Sequence, residues 1–332
     1  MTSCRVAVTG AAGFLGGALA RRLLPTPDLR VGGDAPSAVG SLQLLDLVDP
    51  PPELAADPRV HVLTGELHQT VADLGDADLV CHLAGVVSGA AEADFDLGIR
   101  TNLDALRLLL ERCRAMAAPP VFLFTSSLAV FGSDPAIGPV GPVDDDTLPR
   151  PQSSYGIQKF IGEQLVADYT RKGFIRGRSV RLMTVAVRPG RPNAAASSFI
   201  SGIIREPLAG VRATCPVPES TPIALSSPRR TLDALMTALA TDDRTWGSTT
   251  AMNLPALSTT PREMAESLDR VSGNAASRLI DWIPDASIQA MVGGWPAEFS
   301  TPRAEVLGLS AVPSFDEVVR EYLESDGALT GR

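Results

Sequence analysis

The chain reads as an α/β protein: a doubly wound parallel sheet carrying a smaller C-terminal substrate-binding lobe. Three observations predict this. Short apolar strand patterns alternate with helical ones over the first 190 residues. A glycine-rich turn joins the first strand to the first helix. After Pro189 the texture changes, with longer loops and helices set apart by Pro-rich stretches. Alternating strands and helices favour a parallel sheet with both faces covered.

Taken in order, residues 5–9 form the first strand, 10–16 a turn and 15–24 a helix stopped by Pro25. Residues 42–48 form the second strand, ended by Asp49 and three prolines. Strands follow at 60–63 and 79–83, and a helix at 102–115 with Leu103, Leu106, Leu109 and Leu110 on one side. A fifth strand at 121–125, a helix at 153–169 and a sixth strand at 179–187 complete the first unit. Helices at 261–271 and 315–324 belong to the lobe, the former with Thr260 as N-cap and Pro261 at its first position. The division is residues 1–190 for the cofactor domain and 191–332 for the lobe, with part of 225–257 returning to the first domain.

Composition narrows the function. Of 332 residues, 45% are hydrophobic, enough for a sizeable core. Net charge is −9, which excludes nucleic acid and anionic membrane as expected partners. No 18-residue apolar run predicts a spanning helix, and the short apolar run at 6–8 is no signal peptide. Cys4, Cys81, Cys113 and Cys215 are widely spaced and read as reduced core thiols of a cytoplasmic protein. His61, His68 and His82 share no ligand spacing, so no metal is expected. Locally the charge differs: residues 171–205 hold eight basic side chains and no Asp or Glu. That stretch lies beside the proposed site and suits a small carboxylate.

Thr9-Gly-Ala-Ala-Gly-Phe-Leu-Gly16 is the first chemical signal. Gly10 makes the tight turn, Gly13 lets backbone approach a pyrophosphate, and Gly16 allows close helix packing. The N–H groups opening the helix, at Phe14 and Leu15, favour phosphate. Strand, turn and helix in that order indicate a Rossmann dinucleotide site. An acidic residue ending the second strand binds the ribose. Asp34 has the usual spacing of about 20 residues but follows a poor strand. Asp46 ends a credible one and is preferred. No Arg follows either closely, so NAD is favoured over NADP.

Tyr155-Gly-Ile-Gln-Lys159 places a phenol and an ammonium on one helical face. Nearby positive charge favours phenolate, so Tyr155 can act as a base. Thr125-Ser-Ser127 lies at the end of the fifth strand, on the ligand-binding edge of such sheets. The Gly/Pro/Asp loop 133–151 between them is placed to cover the site.

Together these residues resemble the extended short-chain dehydrogenase/reductase family of epimerases and dehydratases. The resemblance runs over about residues 5–190 and is carried by Thr9–Gly16, Asp78-Leu-Val-Cys-His-Leu-Ala84, Asn102, Thr125–Ser127 with Phe131-Gly132, and Tyr155 with Lys159. It implies Ser127 as the catalytic serine, Tyr155 as base and Lys159 as the ribose-binding lysine. It also implies cofactor contacts from Glu66, Leu67, Leu83, Ala84, Ser88 and Asn102. Phe131 departs from the family's usual tyrosine without removing a catalytic group. The stretches 82–89, 151–159, 168–174, 187–193 and 195–208 resemble the D-erythronate dehydrogenase branch. That branch oxidises the 2-hydroxyl of a four-carbon sugar acid with NAD. Met183 departs from its expected proline.

A sugar acid needs a cation, best a bidentate arginine. Arg191 and Arg229 are the candidates, with Asn193 for a substrate hydroxyl. A dehydratase is disfavoured, because Leu128 and Ala129 stand where its acid/base pair belongs. An epimerase using the same Tyr and Lys, and a non-catalytic NAD sensor, stay as alternatives. The family commonly dimerises through two helices, which implies a homodimer here, with Leu103, Leu106, Leu110, Phe160 and Leu165 as its apolar face or, equally, as core.

Overall fold

The computed structural model describes residues 3–190 and 194–330. Its central sheet has seven parallel strands in the order β10-β6-β5-β4-β1-β2-β3. These are β1 (Cys4–Thr9), β2 (Val39–Asp46), β3 (Val60–Thr64), β4 (Leu79–His82), β5 (Val121–Ser127), β6 (Arg176–Leu182) and β10 (Met252–Asn253). The order reverses between β1 and β4, leaving a crevice beyond their carboxyl ends. The central strands β1, β4 and β5 are nearly continuous buried runs rich in Val, Leu, Phe and Cys, as a sheet covered on both faces requires.

Helix Phe14–Leu23 buries Leu19, Ala20 and Leu23 against one face. Helix Ala105–Arg114 buries Leu106, Leu109, Leu110 and Cys113 against the other. Leu106 and Leu110 are fully enclosed in that core, so they are not part of an apolar face offered to a partner. The turn before this helix, Arg100–Asp104, is a π-helix. Such insertions sit mostly at functional sites.

The sixth strand differs from the expected one. It starts at Arg176 and ends at Leu182, and Thr184–Val185 (β7) belongs to another sheet. Arg176 and Arg178 made the start look like loop. Arg178 and Arg181 are nonetheless almost fully buried, neutralised by Asp243 at 2.5 Å and Glu163 at 2.8 Å.

The lobe contains β8 (Ala213–Cys215), β9 (Ile223–Ser226), β11 (Leu257–Thr259) and β12 (Ile280–Trp282). β7, β9 and β11 form one small sheet, and β8 pairs with β12. Its core packs Ile200, Ile203 and Ile204 against Leu225, Met264, Leu268 and Val318. Helix Pro261–Ser272 opens with a capping box between Thr260 and Glu263. Helix Pro228–Ala240 and β10 lie with the main sheet: Leu235, Leu239 and Met252 share a cluster with Val6 and Leu19. All four cysteines are buried free thiols. Among the described residues no helix is long and apolar enough to cross a membrane, and no group of His, Cys, Asp or Glu is arranged to hold a metal.

Candidate active site

The carboxyl ends of β1, β2, β4 and β5 open onto a cleft with two adjoining cavities. Gly10 has φ +73°. A side chain there would also meet the Ala84 nitrogen at 2.7 Å. Only glycine satisfies both demands. A Cβ on Gly16 would lie 2.0 Å from the Gly10 carbonyl oxygen, so the close packing that Gly16 permits is onto the turn itself. Helix Phe14–Leu23 starts directly after Gly13 with no side-chain cap, which leaves its first N–H groups directed at the cleft.

The first cavity, about 480 Å3, is lined by Gly10, Gly13, Asp46, Glu66, Leu67 and Ala84 among others. One Asp46 oxygen accepts the Ala12 N–H at 2.8 Å and the other the Leu47 N–H at 2.7 Å. The carboxylate therefore ties the glycine turn to the end of β2. Asp34 sits at the opposite edge of the sheet, ion-paired to Arg176 at 2.9 Å where β6 begins. Of the two acids, Asp46 lines this cavity and Asp34 does not. Glu66 pairs with His68 at 3.0 Å.

The second cavity, about 300 Å3, brings together Gly13, Phe14, Leu15, Gly16, Ser88, Ser127, Tyr155 and Lys159. Leu83 lines both cavities. Ser127 is the last residue of β5 and accepts the Ala129 N–H at 3.2 Å. Tyr155 and Lys159 stand one turn apart on helix Ser154–Arg171, whose N-cap Ser153 accepts from Gly156. Gly156 packs against the Ala129 carbonyl, where a Cβ would be 2.1 Å away. That contact sets the start of the helix against the turn that follows β5. Asn102 does not line either cavity. Its side chain accepts the Val86 N–H at 2.8 Å and donates to Gln158 at 2.7 Å, so it holds the loop after β4 against the Tyr155 helix.

Burial pushes the Tyr155 phenol up to about 12, and the hydrogen bond from Ser127 opposes this only in part. Burial lowers the Lys159 ammonium to about 8, with Glu163 pulling the other way. Lys159 donates to the Thr125 carbonyl at 2.9 Å and stands 5.7 Å from the centre of the Tyr155 ring. In the protein alone, burial of the phenol outweighs the hydrogen bond from Ser127.

Behind this wall lies a polar network that the sequence reading missed. Glu163, one turn after Lys159, binds Arg181 through both oxygens and accepts from Ser126. The i+4 spacing after Lys159 was the available signal; the partners come from β5 and β6 and have none. His82 closes β4 with its Nδ1 2.7 Å from the Thr9 hydroxyl. Its burial, with Lys159 nearby, lowers it to about 3, so it is neutral.

The candidate substrate residues fare differently. Arg191 and Asn193 lie outside the described residues. Arg229 is paired to Glu321 at 3.0 Å and lines a separate cavity with Arg22 and Leu232. It is held by the last helix of the lobe and does not face Tyr155. The basic stretch is also largely spent within the fold: Arg171, Arg176, Arg178, Arg181 and Arg205 all pair with carboxylates. Arg188 lines the second cavity, with Thr184, Ser197 and Trp295. The loop 133–151 does not line it. The loop is bonded instead to the segment carrying Trp295, through Ser133 to Gly294 and Val143 to Glu298.

The cleft fits a dinucleotide. It offers a turn where a Cβ has no room, uncapped helix N–H groups, a strand-end carboxylate and two joined cavities. The model of the NAD dependent epimerase/dehydratase family matches residues 6–223. A D-erythronate dehydrogenase from Cupriavidus necator is 51% identical over 326 residues, covering 97% of this chain and 98% of that protein. A D-erythronate dehydrogenase from Haemophilus influenzae is 39% identical over 97% of this chain and 99% of its own length. The nucleoside-diphosphate-sugar epimerase structure from Agrobacterium tumefaciens superposes with a TM-score of 0.85 at 37% identity, covering 98% of this chain and 94% of that one. From motif, cleft and near full-length likeness together, the chain belongs to the NAD dependent epimerase/dehydratase family, the extended short-chain dehydrogenases.

Proposed function

We propose that this chain is an NAD-dependent dehydrogenase that oxidises the 2-hydroxyl of D-erythronate to the 2-oxo acid. The observation that carries the reading is the 51% identity to a D-erythronate dehydrogenase along almost the whole chain. The cavity chemistry supports it. Ser127 and Tyr155 bracket the position of a reacting hydroxyl. Tyr155 accepts the hydroxyl proton, Ser127 orients the oxygen, and Lys159 keeps positive charge beside the phenol. Gly10, Gly13, Gly16 and Asp46 hold the cofactor. Bound NAD supplies the hydride acceptor. Burial holds the phenol up in the protein alone, and positive charge brought into the cavity favours the phenolate.

A second reading is a sugar-nucleotide epimerase, favoured by the Agrobacterium tumefaciens structure. The 51% identity to a D-erythronate dehydrogenase, against 37% to that structure, favours the acid. Exposed Ile157 and Ile161, one turn apart on the Tyr155 helix, support a homodimer packed through that face. Four buried free thiols support a cytoplasmic setting. The test is NADH formation from a panel of aldonic acids beside UDP- and GDP-sugars. D-erythronate should be the best substrate. Turnover of a sugar nucleotide without any aldonate oxidation would overturn the proposal.

A further inference from the structure

Arg188 follows β7 and lines the cavity that holds Tyr155 and Ser127. Helix Ser198–Leu208 grips its backbone from both sides. The Arg188 N–H donates to the Ser201 hydroxyl at 3.0 Å, and the Arg205 guanidinium donates to the Arg188 carbonyl at 2.9 Å. A residue held this way has a fixed place in the wall. Among the described residues lining this cavity, the charged side chains are Lys159 and Arg188, and no Asp or Glu is present.

We propose that Arg188 is the specificity-determining residue of the site: it binds the carboxylate of the sugar acid and separates acids from uncharged sugars. The inference rests on the dehydrogenase reading and deepens it. A guanidinium in a partly desolvated wall gains most from an anion that it can bind through two parallel hydrogen bonds. Burial and the like charge of Arg205 both lower Arg188. The Thr184 and Ser197 hydroxyls share the wall and match the remaining hydroxyls of a short polyol acid.

The test compares D-erythronate with its amide, which keeps the 2-hydroxyl and loses the charge. Wild type, Arg188→Gln and Arg188→Lys are assayed with NAD as full chains. Wild type should prefer the acid by about 30-fold or more in kcat/KM, the scale of a charge-assisted hydrogen bond. Arg188→Gln should remove the preference, mainly through KM, with unchanged NAD affinity. Arg188→Lys, which retains charge without the fork, should keep part of it. A preference intact in both variants overturns the assignment. If wild type oxidises another aldonate instead, the same acid–amide pair of that sugar tests Arg188, while the D-erythronate reading fails alone. If no acid is oxidised, calorimetry with D-erythronate on the wild-type–NAD complex decides. Binding lost in Arg188→Gln upholds the carboxylate site, and no binding to wild type overturns it.

Discussion

The adenine side of the cleft is built from short, local pieces, whereas the catalytic side is assembled from distant ones. Asp46 reaches across to Ala12, and Glu66 and Leu67 come from the turn after the neighbouring strand. The catalytic wall takes Ser127 from β5, Tyr155 from a helix, Arg188 from the entry to the lobe and Trp295 from near its end. The charges differ too. The first cavity carries both signs, with Asp46 and Glu66 beside Arg100, while the second carries Lys159 and Arg188 and no carboxylate among its described lining residues. One half is therefore set by the parallel sheet itself, and the other by how the lobe closes on it.

The largest expected effect separates the halves. Tyr155→Phe keeps the ring and removes the hydroxyl that Ser127 contacts. General-base loss predicts a fall in kcat of about 100- to 10,000-fold. NAD affinity, set on the other side, should stay within about twofold. Initial rates and an NAD titration on the same preparation check this. A variant at wild-type rate would remove Tyr155 from the chemistry and leave the catalytic half without a base.

The same contrast explains what the sequence disclosed. Gly10, Gly13 and Gly16 were legible because strand, turn and helix are contiguous and each glycine answers a local steric demand. Tyr155 and Lys159 were legible because i, i+4 spacing is a property of one helix. Arg229 misled because arginine composition says nothing about partners, and Glu321 claims it from more than ninety residues away. Arg188 went unassigned among eight basic residues for the same reason. The start of β6 was hidden because Arg176 and Arg178 look solvent-bound until Asp34 and Asp243 are placed beside them. Asn102 came from the resemblance as a cofactor contact, yet it acts through Val86 and Gln158.

A second expectation concerns His82, at the junction of the halves. It is fully enclosed, bonded to Thr9 and stacked on Phe124. Its folded value of about 3 lies below the ordinary 6.5. The unfolded chain therefore binds the extra proton first as pH falls. Stability from the neutral ring is complete above pH 6.5 and declines progressively toward pH 3. At pH 5 the loss is about 2 kcal/mol. Denaturant melts of wild type and His82→Gln between pH 7 and 4.5 should converge as the pH drops. Parallel curves would show that His82 does not carry the acid sensitivity.

The smallest effect tests the adenine half alone. Asp46 already uses one lone pair on Ala12 and one on Leu47, and its remaining capacity faces the cavity. Asn can keep only one of these acceptor roles at full strength, because its nitrogen donates and it carries no charge. A ribose diol bound to Asp46 would then lose a charge-assisted hydrogen bond, about tenfold in NAD affinity. Turnover at saturating NAD should be unchanged, since Asp46 is absent from the Tyr155 wall. Discrimination against NADP should also weaken, because the carboxylate repels a 2′-phosphate. Fluorescence titration with both cofactors, alongside kcat at saturation, reads each arm. A fall in kcat with unchanged NAD affinity would reverse the assignment, because the carboxylate would then act through its bond to Ala12 on the glycine turn that both cavities share.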